Sequence, residues 1–169
     1  MLNSILSILY AVLMFFTSMF NGISVKDNSI DFTGHEFPFS YEHGDYNDHT
    51  TGAPIIIETK EELDELISDF ERYEDYYVAL NEVFKFHEGI TDDYFEENIL
   101  ITYVVVAPMG GMDFDVAEVI SGETGTTVKY NYSGGITDAI STVLLVAEVK
   151  KSALVNIETI HFEGNKVDS

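Results

Sequence analysis

Ile99-Leu100-Ile101-Thr102-Tyr103-Val104-Val105-Val106, then Ala107-Pro108-Met109-Gly110-Gly111, then Met112-Asp113-Phe114-Asp115-Val116-Ala117-Glu118-Val119-Ile120 is the stretch that decides the fold class. The first run is dense in β-branched residues and too short for an ordinary core helix, so it reads as a buried strand. Gly110 and Gly111 read as a tight turn, where glycine accepts a positive φ at no steric cost. The return segment alternates, with Met112, Phe114, Val116 and Glu118 on one side and Asp113, Asp115 and Ala117 on the other. Period-two alternation of this kind belongs to a strand with one face in a core and one in water.

Downstream, Ser121-Gly122-Glu123-Thr124-Gly125 forms a turn signal, residues 126–132 alternate as a further strand, and Ser133-Gly134-Gly135 begins a longer loop. Residues 142–150 are a second strongly apolar strand and residues 154–162 a last one. Upstream, residues 53–58 form a short strand whose Pro54 is tolerable only at its start or at an edge. Thr59-Lys60-Glu61-Glu62 has the form of a capping box, in which Thr and Glu each bond the other's backbone N–H. Leu63, Leu66, Ile67 and Phe70 follow at helical spacing and predict one amphipathic helix. A second helical pattern runs through Tyr76, Tyr77, Leu80, Val83, Phe84 and His87 and stops at Gly89. Residues 91–98 read as a capped single turn with Phe95 as its anchor. Strands that follow helices and are joined by short turns predict an α+β fold: an antiparallel sheet of about five or six strands with one or two helices packed on one face.

The N-terminus is of another kind. Residues 2–21 carry no charge, their apolar part runs from Ile5 to Phe20, and Gly22-Ile23-Ser24 offers a small-x-small cleavage site. This reads as a secretory signal peptide without the usual basic n-region, or as an uncleaved N-terminal membrane anchor at the short edge of what spans a bilayer. The expected organisation is a leader over residues 1–24, a polar linker and irregular segment over 25–52, and a single α+β domain over 53–165. The protein is then extracytoplasmic, secreted or anchored, and touches a membrane only through the leader if that segment is uncleaved.

Composition narrows the function. Thirty acidic against 8 basic residues give a net charge of -22, a field that repels nucleic acid and anionic lipid, both of which are bound through Lys and Arg. The absence of cysteine excludes disulfides, thiolate catalysis, Cys-ligated zinc and a lipidated cysteine. His35, His43 and His49 lie among Glu36, Glu42, Asp45, Asn47 and Asp48, a donor set suited to zinc, manganese or nickel. Asp45-x-Asn47 opens like a calcium loop, but His49, Thr50 and Ile56 stand where that loop needs an oxygen ligand, a glycine and a bidentate glutamate. A solvated polar loop is the simpler reading, with His43, Asp45 and His49 as the ligands if a metal is held.

Asp113 and Asp115, with Glu123 from the next turn, resemble a carboxylate cluster, yet on the open side of a hairpin they stay solvated. Gly110-Gly111 lacks the lysine and the following helix of a phosphate loop. No G-x-S-x-G elbow is present. Tyr73, Tyr76 and Tyr77 suit either a stacking surface for carbohydrate or protein or a helix–sheet seam. No catalytic set and no cofactor site emerges, and the expectation is a non-enzymatic protein.

The order of a strand, a capped helix beginning Glu61-Glu62-Leu63, Tyr94-Phe95-Glu96-Glu97-Asn98 before a central strand, Gly110-Gly111, and a late apolar strand closing on Lys150-Lys151 resembles the domain at the C-terminus of PrcB. PrcB is a protease-complex subunit, and related exported bacterial proteins carry the same domain. The likeness covers residues 54–163, with Met112 where that family places an aromatic. It implies an α+β domain without catalytic residues that acts in an assembly. The expected function is an exported non-enzymatic module acting by protein–protein interaction, as a subunit of a cell-envelope or protease assembly. The alternative is a secreted ligand- or metal-binding domain that uses the His- and Asp-rich loop at 35–49. A chain beginning at Val25 is expected to stay soluble and to melt cooperatively, since an all-round apolar leader belongs to a membrane or is removed; aggregation of that shortened chain would place the leader in the core.

Overall fold

The computed structural model describes residues 28–40, 53–71, 80–107, 110–137 and 141–168. In chain order these form β1 (Asn28–Ile30), β2 (Phe32–Ser40), β3 (Ile55–Ile57), α1 (Lys60–Glu71), α2 (Leu80–Gly89), α3 (Tyr94–Glu97), β4 (Asn98–Ala107), β5 (Gly110–Gly122), β6 (Gly125–Thr137), β7 (Ser141–Lys150), a 3-10 turn (Lys151–Ala153) and β8 (Ile160–Lys166). The fold is mixed α+β and mostly antiparallel. It is built on two sheets of four strands, in the orders β2-β7-β4-β3 and β1-β5-β6-β8, and not on the single sheet of five or six strands that the pattern suggests.

The reason lies in β4 and β7, which are apolar at both parities. Ile99, Ile101, Val143, Leu145, Ala147 and Val149 face the second sheet, where they meet Val116, Val119 and Val128. Leu100, Val104, Leu144 and Val146 face the opposite way, against Leu63, Leu66 and Ile67 of α1, Val83 of α2 and Phe95 of α3. A strand buried on both faces needs two covers, and the chain has one layer of helices and one outer sheet to supply them. Each large side chain fully buried in this way contributes about 1.5–3 kcal/mol.

The start of α1 forms as its sequence predicts, whereas the turn before β4 lacks the expected cap, since Asp93 at its N-terminus makes no side-chain capping bond. The Thr59 N–H donates to Glu62 Oε2 at 3.2 Å and the Glu62 N–H donates to Thr59 Oγ1 at 3.2 Å, which closes the capping box. Leu63, Leu66 and Ile67 are buried, while the Phe70 side chain lies outside the described residues. Tyr73, Tyr76 and Tyr77 also lie outside them. Phe95 is buried from the single turn of α3.

Four further expectations are corrected. Residues 28–40, expected as part of a linker, are strands: β1 pairs with β5 in the outer sheet, β2 pairs with β7 in the inner one, and Asp31 lies between them. The chain thus steps from one sheet to the other at this corner, and Gly34 of β2 lies close against Val116 of β5. A Cβ there would lie 2.8 Å from Val116 Cβ.

The second correction concerns Glu118. A β-bulge places both Val116 and Glu118 against consecutive residues Tyr130 and Lys129, so Ala117 is the extra residue. The phase of β5 inverts there: Val119 enters the core and Glu118 joins Asp113 and Asp115 on the outer face. Third, Gly110-Gly111 and Ser133-Gly134-Gly135 are neither an isolated turn nor the start of a loop. They lie within the β5–β6 pairing, at an irregularity where Gly111 has φ 73° and Gly134 φ 78°, and a Cβ at Gly134 would sit 2.9 Å from the Gly111 carbonyl oxygen.

Finally, the last strand begins at Ile160 rather than Leu154. Leu154 and Ile157 pack into the sandwich core from irregular backbone. That backbone is held by the Val155 N–H donating to Ser121 Oγ at 2.9 Å and by Thr126 Oγ1 donating to the Asn156 carbonyl at 2.6 Å. The apolar residues of 154–162 are therefore divided between a plug and a strand. Replacing Leu66 with Ala should cost about 2–5 kcal/mol, read from the denaturant midpoint; an unmoved midpoint would contradict the burial of α1 against the inner sheet.

Candidate functional site

Polar groups in the described residues fall into internal clusters and one open lateral side of the sandwich. The first cluster lies on the helix side of the inner sheet. His35 of β2 bonds Glu148 of β7 through Nε2, and Tyr94 of α3 donates its hydroxyl to Glu148 Oε2 at 2.6 Å. Asn98 Nδ2 then donates to the Tyr94 carbonyl at 3.0 Å. The His35 ring stacks on Phe37 at 5.9 Å and tilts against Phe86 of α2 at 4.7 Å. Hydrogen bonding by His35, and then by Tyr94, holds the Glu148 carboxyl below its ordinary value of 4.5 although burial opposes this. Burial, and next the Glu148 charge, raise the Tyr94 hydroxyl. The group joins a helix turn, an edge strand and a central strand, and it holds neither a nucleophile nor a second carboxylate.

Two other clusters are also joints between elements. Asp64 of α1 meets His87 of α2 at 2.5 Å and Lys60 at 3.3 Å, while Lys60 Nζ donates to the His87 carbonyl at 3.1 Å. The His87 hydrogen bond is the main reason that the Asp64 carboxyl is lowered. Ser121 and Thr126 share a buried hydrogen bond of 2.8 Å at the end of the β5–β6 hairpin.

Of the residues singled out as candidate metal ligands, His43, Asp45 and His49 lie outside the described residues, as do the rest of residues 41–52. Their neighbours His35 and Glu36 belong to β2, where His35 is engaged by Glu148 and Glu36 Oε1 accepts the Val116 N–H at 2.8 Å. Among the described residues no group of three or more His, Asp or Glu is placed to hold a metal ion. Asp113 and Asp115 are exposed on the outer sheet, and Glu123 sits at the far end of the same hairpin. Asp113 faces Ser133, whereas Gly122 and Gly125 close the turn beside Glu123. The three carboxylates are not brought together.

The lateral sides of the sandwich differ. On one side β1 has three residues and runs on into β2. Along the β2 edge, Pro38 offers no N–H and the Glu36 carboxylate turns inward to Val116. Proline and inward charge are devices by which sheets block pairing with other chains. On the other side β3 has three residues, preceded by Pro54, and pairs with Leu100–Thr102 of β4.

The long strand on that side is β8, seven residues parallel to β6. The Val167 N–H donates to the Tyr132 carbonyl and the Thr159 carbonyl accepts from Thr126, so odd-numbered backbone groups point to β6. By alternation the N–H and C=O of Ile160, Phe162, Gly164 and Lys166 point away from the sheet. Among the described residues no strand pairs with them.

Beneath this edge lies an aromatic floor. Phe162 stacks on Tyr103 across the two sheets with ring centroids 4.7 Å apart. Phe114, Tyr130 and Tyr132 continue the floor at 6.2–6.4 Å spacings. Gly164 leaves room for the Tyr130 ring, because a Cβ would meet it at 2.7 Å. Burial is the chief cause that raises the Tyr130 hydroxyl, with Tyr103 and Tyr132 adding to it. On the outer face Lys129 Nζ donates to Glu118 at 3.0 Å, Glu163 sits in register with Lys129, and Asn165 bonds Asn131 at 3.3 Å. Glu118, Lys129, Asn131, Glu163 and Asn165 line an open cleft of about 660 Å³. A strand starting at Leu154 begins six residues too early to reveal this edge; the alternation of Ile160 and Phe162 with His161 and Glu163 is the signal for it in the sequence.

The lowered Glu148 carboxyl makes stability depend on acid. A group whose folded pKa lies below its unfolded one adds stability that is fully present above about 4.5 and lost as pH falls through the folded value. Glu148→Gln should therefore destabilise the chain near neutral pH, and its deficit should shrink at about pH 3. Urea midpoints at both pH values check this, and a deficit that does not vary with pH would contradict it.

Comparisons with protein-family models, with curated proteins and with solved structures find no match to this chain.

Proposed function

We propose that this chain is an exported, non-enzymatic module that acts by binding a protein partner. The observation that carries this reading is the β8 edge: seven residues with a row of outward backbone donors and acceptors, above half-buried aromatic side chains. An exposed sheet edge is a template for pairing with another chain, and the opposite side of the same sandwich carries the usual deterrents. The polar clusters support the non-enzymatic part, since His35 and Tyr94 are engaged by Glu148, and His87 by exposed Asp64, as joints between elements of the fold.

The leader at residues 1–24 supports export, to the medium or to the outer side of the membrane. The resemblance of residues 54–163 to the PrcB C-terminal domain supports a role as a subunit of a cell-envelope or protease assembly. The reading as a metal or ligand binder uses the loop at 35–49, whose candidate ligands His43, Asp45 and His49 lie outside the described residues, while His35 is engaged by Glu148 and Glu36 by the Val116 N–H.

A photo-crosslinking residue at Glu163, in the full chain expressed in its own cells, tests the proposal against the same probe at exposed Glu65 on α1. A protein adduct at Glu163 and none at Glu65 is the expected result. Adducts at Glu65 alone would move the contact to the helices, and none at either position would contradict a protein-binding role.

A further inference from the structure

We infer that the β8 edge takes an extended strand from its partner, one that alternates apolar with basic side chains. This rests on the protein-binding reading and adds the chemistry of the partner. Backbone pairing is the first requirement: outward groups at Ile160, Phe162, Gly164 and Lys166 match one added strand of about seven residues.

The alternation follows from what lies on each face. Side chains of the added strand on the inner face lie beside Ile160, Phe162 and Gly164, over the seam where Phe162 meets Tyr103 and where Ile56 is half-buried. That environment takes apolar groups. Side chains on the outer face lie beside His161, Glu163 and Asn165, all exposed, next to a row in which Lys129 already serves Glu118. Opposite charges directly across a strand pair attract and like charges repel. With a net charge of -22 on the whole chain, Lys or Arg fits these positions and Asp or Glu does not. The same argument disfavours a second copy of this chain, which would bring its own -22 and its own Glu163 to the contact.

The test uses the full chain with three peptides of about eight residues, enough to cover β8. One alternates valine and lysine, one alternates valine and glutamate, and one has the valine and lysine residues in scrambled order. Only the first should bind, more weakly as salt rises, and it should slow amide exchange at Phe162, Gly164 and Lys166 while Glu163 and Asn165 keep their rates. Lys166→Pro removes one outward N–H together with a positive charge, so a loss of up to about tenfold in affinity reports the backbone bond and not electrostatics. Glu163→Lys, an exposed change, should weaken the same peptide through charge. Equal binding of the valine–glutamate or scrambled peptide, binding with no change in exchange along 160–166, or a concentration-dependent dimer lost in Lys166→Pro would each overturn the inference. If no peptide binds yet Glu163 still crosslinks to a protein, the basic-strand inference fails and the protein-binding reading stands; if neither is seen, both fail.

Discussion

The double burial of β4 and β7 is the constraint on which everything else depends. Leu100 and Ile101 are both fully inaccessible although adjacent side chains on a strand point to opposite faces, and Leu144 and Leu145 are nearly so. Both faces of each strand are covered along most of its length. One face draws α1, α2 and α3, and the other draws the outer sheet, so the three-layer order follows from the two strands that are apolar on both faces. The β1–β2 corner and the irregular residues 154–159 are then the means by which a single chain serves two sheets. Gly34 permits the close approach at one, and the Ser121, Thr126 and Asn156 hydrogen bonds fix the other.

Much of this was legible. The capping box and the 63–66–67 stripe act through local hydrogen bonds and one buried face, so sequence patterns report them directly. The two apolar strands were equally clear, but their continuous runs show that both faces are covered without naming the covers. That gap led to one sheet in place of two. The bulge at Ala117 was hidden because an extra residue leaves local alternation intact on each side while inverting its phase across Val116 and Glu118. Residues 28–40 were hidden for another reason. His35, Glu36 and Pro38 read as polar loop, whereas at an edge strand a proline is permissible and two polar side chains can be satisfied by Glu148 and by the Val116 N–H. The candidate site depended on the position of β8 and on its parallel pairing with β6, which only the tertiary structure supplies.

The distribution of polar chemistry has one theme. Buried or half-buried carboxylates have assigned partners: Glu148 with His35 and Tyr94, Glu36 with a backbone N–H freed by the bulge. Exposed carboxylates such as Asp113, Asp115 and Glu163 remain on the outer sheet, and they account for part of the negative field. The proposed binding role follows from an acidic face next to an apolar-floored strand edge that no described strand pairs with, where backbone pairing would supply affinity and charge would supply selectivity.

The most direct measurement of that claim is residue-resolved amide hydrogen exchange of the chain alone. The amides of β4 and β7 should be the slowest, and β8 should alternate, slow at Glu163, Asn165 and Val167 and fast at Phe162, Gly164 and Lys166. Uniformly slow exchange along 160–167 would show that the edge is already covered, and would contradict the account.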